Sequence, residues 1–148
     1  MSITTAYSHV RLTVTDIGRS RAFYEQVFGM PVALEAPEGA DEATLERLSF
    51  LYGGVIYRVG TALFGLRPGA PAGDRFDESR VGLDHLSFLV EGLSDLEGFA
   101  RSLEEMGVAH AGVKDIGVAH ILEFRDPDNI ALELYAWKPR GPRSDQDR

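Results

Sequence analysis

Two histidines and one glutamate stand at matching places in two similar stretches of this chain, and together they form a residue set that suits a mid-row divalent metal. His9 lies in SHVRLTV, His85 in GLDHLSFLV and Glu133 in IALELYAW. Two imidazoles and one carboxylate fill three adjacent coordination positions and leave the others open to water or substrate. Singly, each has a plainer reading, since a strand histidine is usually a satisfied polar side chain and a strand glutamate often faces solvent. Their recurrence within a repeat favours one shared site. The chain has no cysteine, so disulfides, thiolate zinc sites and cysteine nucleophiles are excluded together.

The elements that must position these residues are legible in the hydrophobic pattern. Over residues 8–14, His9, Arg11 and Thr13 alternate with Val10, Leu12 and Val14, which predicts a half-buried strand. Asp16 then leads into a helix of about ten residues in GRSRAFYEQVFG, with Ala22, Phe23 and Val27 as its buried stripe and Gly29 ending it. MPVALEA reads as the next strand. The same order restarts at residues 82–90, with His85 in the place of His9. Ser94 and Glu97 are spaced as a capping box, followed by Leu96, Phe99, Ala100, Leu103 and Met106 at helical spacing up to Gly107.

Three more strands are predicted over residues 108–114, 118–124 and 130–137. The last two are joined by Asp126-Pro127-Asp128-Asn129, strong turn chemistry in which Asn129 suits a left-handed conformation. The first half carries an insertion over residues 41–52, where Leu45, Leu48 and Leu51 at helical spacing predict a short helix stopped by Gly53-Gly54. Strands over 55–59 and 61–67 complete that half. The expectation is an α+β chain of two βαβββ modules: module one at about 6–67, a Gly/Pro-rich linker at about 68–82, module two at about 83–138 and a disordered tail at about 139–148.

Composition narrows the function. With 23 acidic against 15 basic side chains the formal net charge is -8, which argues against binding a phosphate backbone. No apolar run reaches membrane-spanning length and the N-terminus lacks the pattern of a signal peptide, so no membrane partner and a cytoplasmic location are expected.

The sequence resembles the vicinal oxygen chelate superfamily, which includes glyoxalase I, extradiol dioxygenases, fosfomycin thiol transferases, methylmalonyl-CoA epimerases and bleomycin-resistance proteins. The likeness rests on SHVRLTVTDIGRSRAFYEQVFGM, GLDHLSFLV and FRDPDNIALELYAW. It implies a curved mixed sheet, a half-barrel built from the paired modules around a metal site. It also implies His9, His85 and Glu133 as ligands of one divalent ion, Fe(II) or Mn(II) ahead of Zn(II) or Ni(II). Modules of this superfamily often pair across subunits, so a homodimer is expected, with His9 joining the metal in the same chain or across the dimer. Glyoxalase I carries a further carboxylate ligand, whose place here falls near Phe64 in a strand without acids; this demotes isomerase chemistry.

The roles of the remaining residues follow from strand faces and from the resemblance. His120 either reaches the cavity as an acid or base or caps a backbone carbonyl, and Tyr135, sharing a face with Glu133, is expected beside the metal. Arg11, on the His9 face, is a candidate substrate contact or the partner of an internal acid. Phe64 and Phe124 are expected to line an apolar substrate cavity, and Phe124 stands where dioxygenases of this family usually have a tyrosine. The expected function is a metal-dependent enzyme acting on a small oxygen-bearing molecule, dioxygenase-like first. The alternatives are a fosfomycin-type thiol transferase or a metal-independent, bleomycin-type drug-binding protein.

Overall fold

The computed structural model describes residues 3, 4 and 6–139; of the tail expected at 139–148, all but Pro139 lies outside the described residues. The chain divides into two compact units, Met1–Arg75 and Phe76–Arg148. Unit one runs β1 (His9–Val14), α1 (Ile17–Phe28), β2 (Val32–Leu34), α2 (Glu42–Arg47), a 3-10 turn (Ser49–Leu51), β3 (Val55–Val59) and β4 (Ala62–Pro68). Unit two runs β5 (Leu86–Leu89), α3 (Leu93–Glu105), β6 (His110–Asp115), β7 (Ala119–Arg125) and β8 (Ala131–Trp137).

Each unit is a four-stranded mixed sheet with the same wiring, β1-β4-β3-β2 in the first and β5-β8-β7-β6 in the second. The first and last strands of each unit pair in parallel and the rest are antiparallel. The α+β architecture of two βαβββ modules is thus the observed one.

Strand parity sorts each sheet into a buried and an open face. In unit one, Leu12 and Val14 are buried and alternate with exposed His9 and Thr13. In unit two, Leu132, Leu134 and Ala136 of β8 are buried, with Leu122 and Phe124 of β7 beside them. Against that core α3 contributes Leu96 and Leu103, both fully buried. This is the division expected of a sheet with one covered face.

The helices differ in detail from the sequence expectation. The buried stripe of α1 is Ser20, Tyr24 and Val27, with Ala22 exposed, because Tyr24 is the residue that packs on Phe64, ring centroids 5.0 Å apart. The start of α3 lies earlier than Ser94: extended Gly92 is the N-cap and its N–H donates to Asp95 Oδ2 at 3.0 Å. Ser94 therefore sits inside the first turn. The insertion forms a six-residue helix capped by Asp41, whose carboxylate accepts from the Thr44 N–H at 2.8 Å, followed by the 3-10 turn. The second strand shrinks to three residues because its register with β3 slips between Val32 and Leu34.

Two adjacent glycines close the insertion for different reasons. Gly53 takes a left-handed φ of 77° in open space, whereas a Cβ at Gly54 would lie 2.0 Å from the Leu66 carbonyl oxygen. Replacing Gly53 with Ala should cost about 1–2 kcal/mol of left-handed strain. Gly54→Ala must displace backbone and should cost more, about 3 kcal/mol or above. Urea unfolding of the two variants measures this difference, and equal midpoints would contradict it.

Candidate functional site in the second unit

The parallel ladder between β5 and β8 sets Ser87 directly opposite Glu133 and Leu89 opposite Tyr135. The antiparallel β7–β8 ladder continues each row, with Glu123 opposite Glu133 and Ile121 opposite Tyr135. Paired residues share a face, so Ser87, Glu133 and Glu123 form one row across the open side of the sheet. His85 directly precedes β5 at the end of this face, where it borders a cavity of about 590 Å³ together with Asp84, Glu78, Glu123, Arg125 and Glu133.

The geometry around Glu133 is that of an oriented ligand pair. Its Oε1 accepts the Ser87 hydroxyl at 2.6 Å and lies 3.9 Å from His85 Nε2. The other imidazole nitrogen, Nδ1, is 2.5 Å from Asp84 Oδ1, which leaves Nε2 turned towards Glu133. The Asp84 carboxylate raises the His85 pKa above its ordinary value; partial burial opposes this and Glu133 adds to it. A carboxylate on one ring nitrogen is the outer contact that fixes the tautomer and aim of a ligating histidine.

A divalent metal is the group implied by these residue types, and the donor set fits it in part. Adjacent ligands at 2.0–2.2 Å from an ion stand about 3 Å apart, so the 3.9 Å between Nε2 and Oε1 closes by a small side-chain rotation. Among the described residues no three His, Asp or Glu side chains gather into a group able to hold a metal. Unit two thus supplies a pair of donors.

The hairpin that carries Glu133 is held by its turn. Asp126, buried, accepts from the Asp128 and Ile130 N–H groups at 2.9 and 2.7 Å, and Asn129 takes the left-handed φ of 69°. Asn129 Nδ2 donates to the Phe76 carbonyl at 3.0 Å, tying the preceding connection to the turn. Beside it the Arg125 guanidinium forks onto both Glu78 oxygens at 2.9 and 2.6 Å. That fork holds the Glu78 carboxyl down at about 2.

Strand parity sorts the other expected site residues between the two faces. His120 pairs with Ala136 and Phe124 with Leu132, positions that alternate with Glu133 and Tyr135, so both belong to the other face of the sheet. His120 Nε2 lies 3.8 Å from Asp115. Phe124 is 4% exposed and still borders the cavity beside Glu123 and Glu133; the residue that stands opposite Glu133 is Glu123, which the sequence reading passed over. Tyr135 does share the Glu133 face, its ring 4.7 Å from that of Trp137.

In unit one the corresponding ladder sets His9 opposite Leu63 and Arg11 opposite Gly65. By the shared wiring, Arg11 corresponds to Ser87 and Gly65 to Glu133. The place of a carboxylate is therefore Gly65, and it is filled: a Cβ there would fall 2.8 Å from Arg11 Cγ. Arg11 donates to the Phe50 and Leu51 carbonyls at 2.9 and 3.2 Å, which ties the 3-10 turn to the sheet. The expected substrate contact is here a structural anchor. Phe64, one residue away, is 1% exposed between Tyr24 and Tyr57, because strand parity turns it from the His9 face to the core. His9 itself is exposed, its Nδ1 3.0 Å from the Ser8 hydroxyl.

Comparison with known proteins fixes the class. The model of the Glyoxalase/Bleomycin resistance protein/Dioxygenase superfamily matches residues 6–134, and the chain belongs to that superfamily. Among solved structures, it is similar to a glyoxylase/bleomycin resistance protein/dioxygenase domain from Frankia sp. EAN1pec, at 28% identity and a TM-score of 0.72 over 95% of this chain and 96% of that one. It also resembles the fosfomycin resistance protein FosX from Listeria monocytogenes, at 17% identity and a TM-score of 0.67 over 92% of this chain and 96% of that one. A lactoylglutathione lyase from Agrobacterium tumefaciens matches at 19% identity and 0.65 over 91% and 96%. The last two likenesses are of fold. A variant of the Listeria protein, 17% identical with a TM-score of 0.69 over 92% of this chain and 95% of that one, was solved with Mn(II) and 1S,2S-dihydroxypropylphosphonic acid. No curated protein matches the chain. Among the described residues no helix is long and apolar enough to cross a membrane.

The Glu78–Arg125 fork generates a direct titration test. A carboxyl depressed in the folded state stabilises it above the ordinary value of 4.5, and that contribution fades as pH falls through the folded value. Carbon-detected NMR should place the Glu78 midpoint near 2 and move it up towards the ordinary range in Arg125→Gln. An unchanged midpoint in the variant would show that the fork is not its cause.

Proposed function

We propose that this chain is a divalent-metal-dependent enzyme acting on a small oxygen-bearing molecule, with His85 and Glu133 as two of the metal's ligands and His9 as the third. The observation that carries this reading is the pair His85 Nε2 and Glu133 Oε1, 3.9 Å apart at one cavity, each aimed by a neighbour, Asp84 or Ser87. Neighbours placed in this way are the usual outer contacts of metal-ligating side chains. Bound there, an ion such as Fe(II) or Mn(II) supplies Lewis acidity to adjacent substrate oxygens.

The residues of the chain do the rest. Ser87 holds the Glu133 carboxylate in place and Asp84 holds the imidazole, while Tyr135 stands two residues along the same face from Glu133. Ring-cleaving oxygenase chemistry rests on the family resemblance; with His120 and Phe124 on the opposite face, Glu123 is the ionisable group left beside Glu133 to exchange a proton. A second reading, metal-independent capture of a cationic drug, is favoured by one observation: four carboxylates and one guanidinium line the cavity.

Metal titration separates the two. Wild-type protein should bind one Mn(II) per chain, and His85→Ala and Glu133→Gln should each weaken binding by more than the roughly 100-fold typical of losing an outer-shell partner. His9→Ala should do the same, in one chain or across a dimer, and dilution separates those cases by dissociating a shared site. Wild-type protein without stoichiometric metal after anaerobic loading refutes the enzyme reading.

A further inference from the structure

His85 reaches its cavity at the end of an irregular segment that unit two fastens near its start. Residues 76–85 run from the beginning of the unit to β5, and the first of them are tied to the β7–β8 hairpin. The Phe76 N–H donates to the Asp128 carbonyl at 2.9 Å, and the Phe76 carbonyl accepts from Asn129 Nδ2 at 3.0 Å. Glu78 then takes the Arg125 fork, whose Nη1 also donates to the Asn129 carbonyl at 3.1 Å. One guanidinium thereby holds the segment and the turn together.

Beyond Glu78 the fastening stops. Asp77 closes a local turn, accepting the Ser79 N–H at 2.9 Å and its hydroxyl at 2.6 Å. Residues 81–84 make no backbone hydrogen bond among the described residues, Val81 is fully exposed, and Gly82 takes a φ of 146°, which other residues rarely adopt. The next polar side chain to approach the hairpin is His85, with Nε2 3.9 Å from Glu133 Oε1. Segment and hairpin are the two walls of the cavity, Glu78, Asp84 and His85 on one, Glu123, Arg125 and Glu133 on the other. Two pairs cross between these walls, the fork of Arg125 with Glu78 and the donor pair of His85 with Glu133.

We infer that residues 76–85 form a strap along the cavity and that the Glu78–Arg125 fork is its latch, making Glu78 and Arg125 positioning residues for His85. Closing the fork confines the free span and raises the effective concentration of the imidazole at Glu133. An ion held by His85 and Glu133 fastens the same two walls, so latch and ion favour each other by one common factor. The inference rests on the metal-site reading for the ion alone; the strap and its latch belong equally to the protein without it. Charge by itself gives another pattern. Loss of the Arg125 cation would tighten a nearby divalent ion and loss of the Glu78 carboxylate would loosen it, whereas loss of a latch loosens it either way.

Two measurements on the full-length protein test this. In the first, Mn(II) is titrated into wild type, Arg125→Gln and the double variant Glu78→Gln with Arg125→Gln. The double variant removes one charge of each sign, and it should still bind Mn(II) about threefold more weakly, the scale of an exposed pair. Arg125→Gln should weaken binding too, against the direction of its charge, and Arg125→Lys should recover part of the loss. The second measurement reads the strap directly, as tryptic cleavage after Arg80, whose side chain is 84% exposed, followed by mass spectrometry. The double variant should be cut there severalfold faster than wild type without metal, with cleavage after Arg58 in β3 unchanged as the control for global opening. Mn(II) should slow the cut in wild type.

A double variant that binds Mn(II) as wild type does would overturn the inference, and so would tighter binding by Arg125→Gln, which would make the fork a matter of charge. Equal cleavage after Arg80 in wild type and double variant would overturn it as well. Should Mn(II) fail to bind wild type, the metal reading falls by itself. The cleavage rates of the metal-free proteins then decide the strap and its latch.

Discussion

The register of the parallel ladder between β5 and β8 is the constraint on which the candidate site depends. Ser87 opposite Glu133 brings a hydroxyl to a carboxylate oxygen at 2.6 Å and places His85 just before the strand, within reach of the same oxygen. A slip of one residue would send Glu133 into the core beside Leu96 and Leu103 and bring Leu132 or Leu134 to the open face. The cost of burying a carboxylate there, against the gain from the leucines, fixes the register firmly. The hydrophobic core of unit two thereby positions its chemistry.

One module kept the acid and the other did not, although both share a wiring. At the place of Glu133, unit one has Gly65, and the space is taken by the stem of Arg11, whose guanidinium caps the Phe50 and Leu51 carbonyls. Those carbonyls end a 3-10 turn, and that of Leu51 also accepts the Gly54 N–H at 2.8 Å. Arg67, on the same face, stacks over Tyr52 at 3.9 Å from the ring centroid. The insertion is thus fastened by two arginines of the sheet face that corresponds to the Ser87–Glu133 row of the second unit.

Much of this was legible in the sequence, for physical reasons that also mark where legibility ended. The repeat, the helix ends at Gly29 and Gly107, and the turn at Asp126–Asn129 follow from local chemistry, and the left-handed Asn129 is as its type suggests. Parity along β8 is likewise local, so Tyr135 was assignable to the Glu133 face. Parity of β7 against β8 is not local. It depends on how many residues the turn consumes between Arg125 and Ala131, and Asp126, by accepting two N–H groups, sets that number. An error of one residue there exchanges Glu123 for Phe124 and moves His120 to the wrong side. Phe64 and Gly65 differ by the same single step.

Seen this way, the exposed residues of unit two make a more selective statement than the buried ones. The core would serve any reaction class of the superfamily, since it specifies only two faces and a register. On the open face each cation near Glu133 is paired with a carboxylate, Arg125 with Glu78 and Lys114 with Glu123. Exposed pairs of this kind contribute little to stability. Their larger effect is on what can approach: the Arg125 guanidinium, held by Glu78, is less available to an anion. Two like charges across a ladder disfavour the sheet by themselves, which the Lys114 ammonium 2.5 Å from Glu123 relieves in part. Under the proposed metal site, a bound cation would relieve the remaining repulsion, so the acidic row would cost the fold least when it holds an ion.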